Sequence, residues 1–153
     1  MRYSWRQTGY GQLPHILGSI ALPKMTRLVT EDLYRRGFNS GCSVQVAESL
    51  LAADMGCSAR TYIRHLNISE YVGFIRRRRL GEGNVNIIDL LLRPSDGQGA
   101  HMSAGILAQL PHLHPALFKD EQHTMEWWFV QVAWHKEAMR PIRGMVHRDG
   151  RMS

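Results

Sequence analysis

The residues best suited to chemistry are arginines concentrated in one short segment. Residues 58–79 contain six arginines and one acidic residue, Glu70, in a 153-residue chain whose formal net charge is +6. Guanidinium groups donate forked pairs of hydrogen bonds that match phosphate oxygens and the edge of guanine. The segment therefore predicts a surface that binds a polyanion, and nucleic acid is the first expectation.

A helix is the element that must position the first two of these arginines. Arg60 and Arg64 are four residues apart, which places them on one face of a helix. Ser58 is a typical N-cap residue just before it, and Tyr62 and Leu66 supply its inner face, with Ile63 left open as a third member. The outer face then carries Arg60, Arg64 and Asn67.

Two further helices are predicted before this one. Apolar periodicity indicates a helix from Thr26 that ends at Gly37, and a second helix over 43–55 that ends at Gly56. A helix-turn-helix needs a small residue in its first helix, a glycine in the turn and apolar packing positions. The chain has these at Ala52, at Gly56 and at Leu51, Met55 and Tyr62.

A β-hairpin must carry the other four arginines. Two strand-like runs, 74–80 and 84–92, flank the turn sequence Gly-Glu-Gly. Because alternate residues of a strand face opposite ways, Arg77 and Arg79 cannot share a face with Arg76 and Arg78. The predicted fold class is mainly α with a small β-hairpin wing.

The stretch "LAADMGCSARTYIRHLNISEYVGFIRRRR" resembles bacterial winged helix-turn-helix DNA-binding proteins. The flanking "GYGQLPHILGS" and "NVNIIDL" are similar to the DNA-binding domains of plasmid and phage replication proteins and related transcription regulators. The resemblance covers about residues 11–92. Two positions depart from the pattern: Ser69 stands where a leucine is usual, and Tyr62 where a valine is usual. Either the core is repacked locally, or the helix register shifts and Ile68 takes the vacant place.

The resemblance implies that the third helix enters the major groove of duplex DNA. An arginine there can fork onto guanine, and Arg60 and Arg64 are the expected base-reading residues. Ser58 and Thr61 would bind phosphate. The full set expected on the recognition helix is Ser58, Ala59, Arg60, Thr61, Ile63, Arg64 and Asn67. The set expected on the wing is Arg76, Arg77, Arg78, Arg79, Asn84 and Asn86.

The regions on either side of this domain are predicted from composition. Residues 1–25 are interpreted as an N-terminal arm, 26–93 as the winged helix-turn-helix domain, and 94–153 as a linker and a Trp-rich helical tail. The tail either packs on the domain or forms a homodimer or protein-partner interface. The residues of that candidate interface are Trp127, Trp128, Phe129 and Trp134.

Other functional classes lack the residues they need. His112 and His114, with His101 and His123 nearby, have no zinc spacing, and the two cysteines fit neither a metal site nor a disulfide framework. No cofactor, metal site or catalytic residue set is expected, so the chain is predicted not to be an enzyme. No apolar run reaches the length of a membrane span, and a cytoplasmic location is expected.

The sequence thus predicts a sequence-specific double-stranded DNA-binding protein of bacterial, plasmid or phage origin, acting as a transcription regulator or a replication-origin binder. The alternative is a non-catalytic winged-helix adaptor in a larger nucleoprotein complex, docking through its Trp-rich tail, because this fold is also used for protein contacts. The arginines have matching alternatives: Arg76 to Arg79 only protect an exposed strand edge, and Arg60 and Arg64 lie on the surface of a helix that docks protein.

Overall fold

The computed structural model describes residues 17, 20–79, 86–91 and 109–152, without the side chains of Arg79, Leu110 and 139–152. The described part is mainly helical, with a small three-stranded antiparallel sheet. Its elements, in chain order, are α1 (Lys24–Gly37), β1 (Ser43–Val44), α2 (Glu48–Met55), α3 (Ala59–Val72), β2 (Ile75–Arg79), β3 (Asn86–Leu90), α4 (Leu110–Leu113) and α5 (Glu121–Met152).

Helices α1 and α3 pack against each other through a mixed apolar and polar contact. Val29 and Leu33 of α1 are fully buried against the core, and the Tyr34 hydroxyl donates a 2.6 Å hydrogen bond to the Phe74 carbonyl. The Thr30 and Ser69 hydroxyls lie 2.8 Å apart in the interior. Ser69 therefore keeps its place in the core through a polar partner, while its neighbour Ile68 is buried as well.

The turn between α2 and α3 has the predicted chemistry. Gly56 adopts a left-handed conformation with φ 75°, which ends α2 without the strain that a side chain would add. Ser58 caps α3, and its hydroxyl accepts a 3.1 Å hydrogen bond from the Thr61 amide. Tyr62 and Leu66 are buried on the inner face as expected, whereas Ile63 is only partly buried.

The predicted hairpin is confirmed, and it belongs to a larger sheet than the sequence indicated. Strand β3 lies in the middle of the order β1-β3-β2, and Arg77 pairs with Ile88 across the β2–β3 ladder. The prediction missed β1 and assigned its residues to the start of the second helix. Gly37 explains the close fit of β1 on α1, because a Cβ there would lie 2.9 Å from Val44 Cγ2.

Two apolar residues at helical spacing with the core residues do not face the core. Leu50 of α2 is 61% exposed, and Leu28 of α1 is also exposed. Each follows the local apolar pattern, but the neighbouring elements cover a different side of its helix. The second helix is also shorter than predicted, because it begins at Glu48.

The C-terminal segment is helical, as predicted, and its first part packs on the domain. Trp128 of α5 is fully buried, and its indole N–H donates a 2.5 Å hydrogen bond to the Ala21 carbonyl. Leu17, Ile20 and Leu22, from the region interpreted as an arm, are buried in the same hydrophobic core. The core therefore extends beyond both ends of the predicted domain, while the start of the predicted linker and tail, residues 94–108, lies outside the described residues.

Candidate functional site

The outer face of α3 presents two arginines without carboxylate partners. Arg60 and Arg64 are exposed, and neither takes part in an ion pair among the described residues. Ala59 beside them is exposed, and Thr61 and Ile63 are partly buried. The charge on this face is therefore not neutralised within the described part of the chain.

Arg64 is held against α5 by an aromatic contact. Its guanidinium carbon lies 4.0 Å from the centroid of the Phe129 ring, which is the geometry of a cation–π interaction. The same ring meets His65 edge-on, with the centroids 5.5 Å apart. No carboxylate among the described residues accepts a hydrogen bond from Arg64.

His65, the next residue of α3, is a buried structural residue that also contacts α1. Its Nδ1 lies 2.9 Å from the Thr26 hydroxyl in the α1–α3 contact. Burial lowers the pKa of His65 to about 4, and the positive charge of Arg64 contributes in the same direction. His65 is therefore neutral at pH 7 and adds no charge to the outer face.

Arg77, in contrast, is bound to carboxylates within the chain. Its guanidinium donates to Glu70 Oε1 from both Nε at 2.9 Å and Nη2 at 2.8 Å, and to the Asn67 amide oxygen. A longer ion pair of 3.7 Å joins it to Glu48 of α2. The predicted recognition residue Asn67 and the predicted wing residue Arg77 thus contact each other.

Arg76 and Arg78 lie on the opposite face of β2, where both contact Asp89. Arg78 donates two hydrogen bonds to this carboxylate, and Arg76 lies 3.4 Å from it. The Arg78 guanidinium is the main reason that the pKa of Asp89 is lowered, and Arg76 adds to the effect. The predicted division of the arginines between two faces is confirmed for these three residues.

The rest of the predicted wing is described only in part. Asn84 lies outside the described residues, as does the side chain of Arg79. Asn86 begins β3, and its side-chain Nδ2 donates a 3.2 Å hydrogen bond to the Glu48 carboxylate. DNA contact by the wing therefore stays a prediction, and its three described arginines are partly neutralised.

The four aromatic residues predicted to form an interface lie in different environments. Trp128 is buried in the core, and Phe129 is partly buried beside Arg64. Trp127 is partly buried, with its ring 5.1 Å from that of Phe118. Trp134 is 71% exposed. The tail packs in cis through Trp128 and Phe129, so of these four Trp134 is the residue left largely uncovered.

Two grooves lie along the contact between α3 and α5. The larger, of about 750 Å³, lies between the C-terminal half of α3, β2 and α5, and includes Glu70 and Arg77. The smaller, of about 230 Å³, is lined by Arg64, Asn67, Phe129, Val132, Ala133 and Lys136. Lys136 is thus a cation close to the proposed recognition face.

The local sequence pattern did not predict the position of Lys136 or the acidic partners of the β2 arginines. Asp89 has a local signal, because it is the one acid in β3 and pairs across the ladder with Arg76. Glu48 and Glu70 have no such signal, since they come from two helices that only the folded chain brings to Arg77.

Within the described residues, no group of three or more histidine, cysteine, aspartate or glutamate side chains is arranged to hold a metal ion. No helix of that part combines the length and apolar character needed to cross a bilayer. No family model, curated protein or solved structure matches the chain.

Proposed function

We propose that the chain is a winged helix-turn-helix protein that binds double-stranded DNA in a sequence-specific manner, as a transcription regulator or replication-origin binder. Helix α3 acts as the recognition helix, and the β2–β3 hairpin acts as the wing. The element order and the β1-β3-β2 sheet are compatible with this fold. The chain binds DNA without catalysing a reaction on it.

One observation carries the proposal: Arg60 and Arg64 on the outer face of α3 are exposed and have no carboxylate partner among the described residues, although three arginines of β2 have such partners. Solubility alone does not require the arginines of α3 and those of β2 to differ in whether they have carboxylate partners. A guanidinium that must fork onto guanine O6 and N7 needs its donors free, and each such contact contributes about 1 to 3 kcal/mol of discrimination.

The experiment is selection of bound duplexes from a random pool, followed by affinity measurements on the selected sequence. We expect a defined consensus for the unmodified chain. Arg60→Ala and Arg64→Ala should each weaken binding to that consensus by about 10- to 100-fold and leave binding to unrelated duplexes much less affected. Arg35→Ala is the matched control, because Arg35 is an exposed arginine of α1 paired with Asp32.

Two outcomes contradict the proposal. Absence of any consensus for the unmodified chain excludes sequence-specific duplex binding. A consensus that survives both Arg60→Ala and Arg64→Ala shows that α3 does not read the bases. The mass of the complex gives the stoichiometry, and a palindromic consensus bound by two copies would indicate a homodimer.

A second candidate function is that of an adaptor in a nucleoprotein complex. The observation that favours it is Trp134, which is 71% exposed one turn after the exposed Val130 on α5. Exposed aromatic residues are enriched at protein interfaces. In this case Trp134→Gln should abolish binding of a partner protein, while the affinity for duplex DNA would be weak and indifferent to sequence.

A further inference from the structure

Phe129 of α5 contacts Arg64 of α3, one of the two arginines that are proposed to read DNA bases. The Arg64 guanidinium carbon lies 4.0 Å from the centroid of the Phe129 ring. Both residues also line the smaller groove along the contact between α3 and α5. A side chain of the C-terminal helix therefore restricts where the guanidinium of a proposed recognition residue can lie.

The Phe129 ring is itself held by the packing of α1 and α3. Phe129 is partly buried against the hydrophobic core, and its ring meets the His65 ring edge-on, with the centroids 5.5 Å apart. His65 is buried, and its Nδ1 lies 2.9 Å from the Thr26 hydroxyl of α1. The ring therefore offers the guanidinium a fixed surface, supported by contacts that reach the first helix.

A cation–π contact restrains an arginine without the help of a carboxylate. The ring attracts the positive charge of the guanidinium as a whole, whereas the five N–H donors lie along the edge of the guanidinium plane. No carboxylate among the described residues pairs with Arg64. Such an arrangement suits a side chain that must fork onto guanine O6 and N7.

The effect of this restraint on DNA binding is a lower cost of ordering Arg64. A long side chain that is mobile in the free protein loses its rotational freedom on binding, which weakens a complex by a factor of about 2 to 10. Arg60 lies one turn before Arg64 on α3, and among the described residues no aromatic ring stacks on it. Of the two arginines, Arg64 is therefore the one that is ordered before DNA arrives.

We propose that Phe129 is a positioning residue, which holds the Arg64 guanidinium for base recognition and so increases the sequence preference of the recognition helix. This inference rests on the proposed function and assigns part of its specificity to α5. The preference at the base pair read by Arg64 depends on Phe129, whereas the preference at the base pair read by Arg60 does not.

The test is a double-substitution cycle on the selected duplex. Phe129→Leu removes the ring and retains an apolar side chain. We expect it to weaken binding to the consensus by about 2- to 10-fold, and to relax base preference only where Arg64→Ala relaxes it. In the Arg64→Ala background the same substitution should have no further effect, because the two residues act through one contact. Phe129→Tyr keeps an aromatic ring and should keep the full preference.

Phe118→Leu is the matched control for the structural cost of losing a ring. Phe118 is also a partly buried phenylalanine that contacts α5, with its ring 5.1 Å from that of Trp127, and it lines neither groove. Denaturant unfolding measures the stability of each variant. Phe118→Leu should leave the base preference unchanged, even where it lowers the free energy of unfolding as much as Phe129→Leu does.

Three results overturn the inference. If Phe129→Leu changes nothing, or weakens binding equally with and without Arg64, the ring does not position that arginine. If Phe129→Leu binds the consensus more tightly, the ring holds Arg64 away from the bases. In these two cases the consensus remains and the proposed function stands. If the unmodified chain selects no duplex, the proposed function fails and this inference fails with it.

Discussion

His65 shows how a titratable residue can belong to the core of this molecule. It is 4% exposed and contacts the Thr26 hydroxyl, and burial lowers its pKa to about 4. In the unfolded chain the ordinary pKa of histidine, about 6.5, applies. Between these two values the unfolded state binds more protons than the folded state, so the free energy of unfolding falls as the pH falls.

The stability that the neutral His65 provides should therefore be complete above about pH 6.5 and decline toward about pH 4. We expect the free energy of unfolding to fall by about 2 kcal/mol more between about pH 7 and about pH 5 than it does in His65→Gln. Glutamine retains a polar group near Thr26 and does not titrate. Denaturant unfolding at several pH values gives the comparison, and parallel curves for the two proteins would contradict the prediction.

At the scale of elements, Arg77 joins the hairpin to two helices. It is 20% exposed and contacts Glu70 of α3 and Glu48 of α2, whereas Arg76 is 62% exposed and contacts Asp89 within the sheet. Removing Arg77 would leave two partly buried carboxylates and Asn67 without their common donor. Neighbouring arginines of one strand therefore differ in what they contribute to the fold.

Arg77→Ala should lower the free energy of unfolding by about 1 to 3 kcal/mol, because partly buried acceptors lose a charged donor. Arg76→Ala is the matched control and should cost less than about 1 kcal/mol, as exposed ion pairs usually do. Chemical denaturation measures both. Equal effects of the two substitutions would show that the Arg77 contacts do not stabilise the hairpin.

At the scale of the whole molecule, α5 is an integral part of the fold. Trp128 belongs to the same core as Leu17, Ile20, Leu22 and the buried residues of α3, and Tyr71 meets its ring edge-on at 6.3 Å. Trp134, on the same helix, is 71% exposed. The C-terminal helix is thus fixed to the domain at one tryptophan and exposes another.

Trp128→Ala should lower the free energy of unfolding by about 3 to 5 kcal/mol, because it removes a large buried side chain and leaves a cavity. Trp134→Ala should change it by less than about 0.5 kcal/mol, since surface substitutions rarely matter more. Thermal or denaturant unfolding of the two variants provides the test. A small effect of Trp128→Ala would mean that α5 is not docked on the domain in solution.

The sequence alone determined the features that depend on neighbours along the chain. The periodicity around Arg60 and Arg64, the N-cap at Ser58 and the left-handed turn at Gly56 follow from local sterics and hydrogen bonding. So does the alternation of Arg76, Arg77 and Arg78 between the two faces of a strand. These features predicted the mainly helical fold and its hairpin.

Only the tertiary structure decided which arginines have carboxylate partners within the described part of the chain. Glu48 and Glu70 reach Arg77 from two separate helices, and β1 and α5 find their places through contacts between residues far apart in the chain. Such contacts depend on how apolar faces pack together, and the residue types give no local sign of the result. That packing gives Arg76, Arg77 and Arg78 their carboxylate partners and leaves Arg60 and Arg64 without one among the described residues. It also places Lys136 beside Arg64.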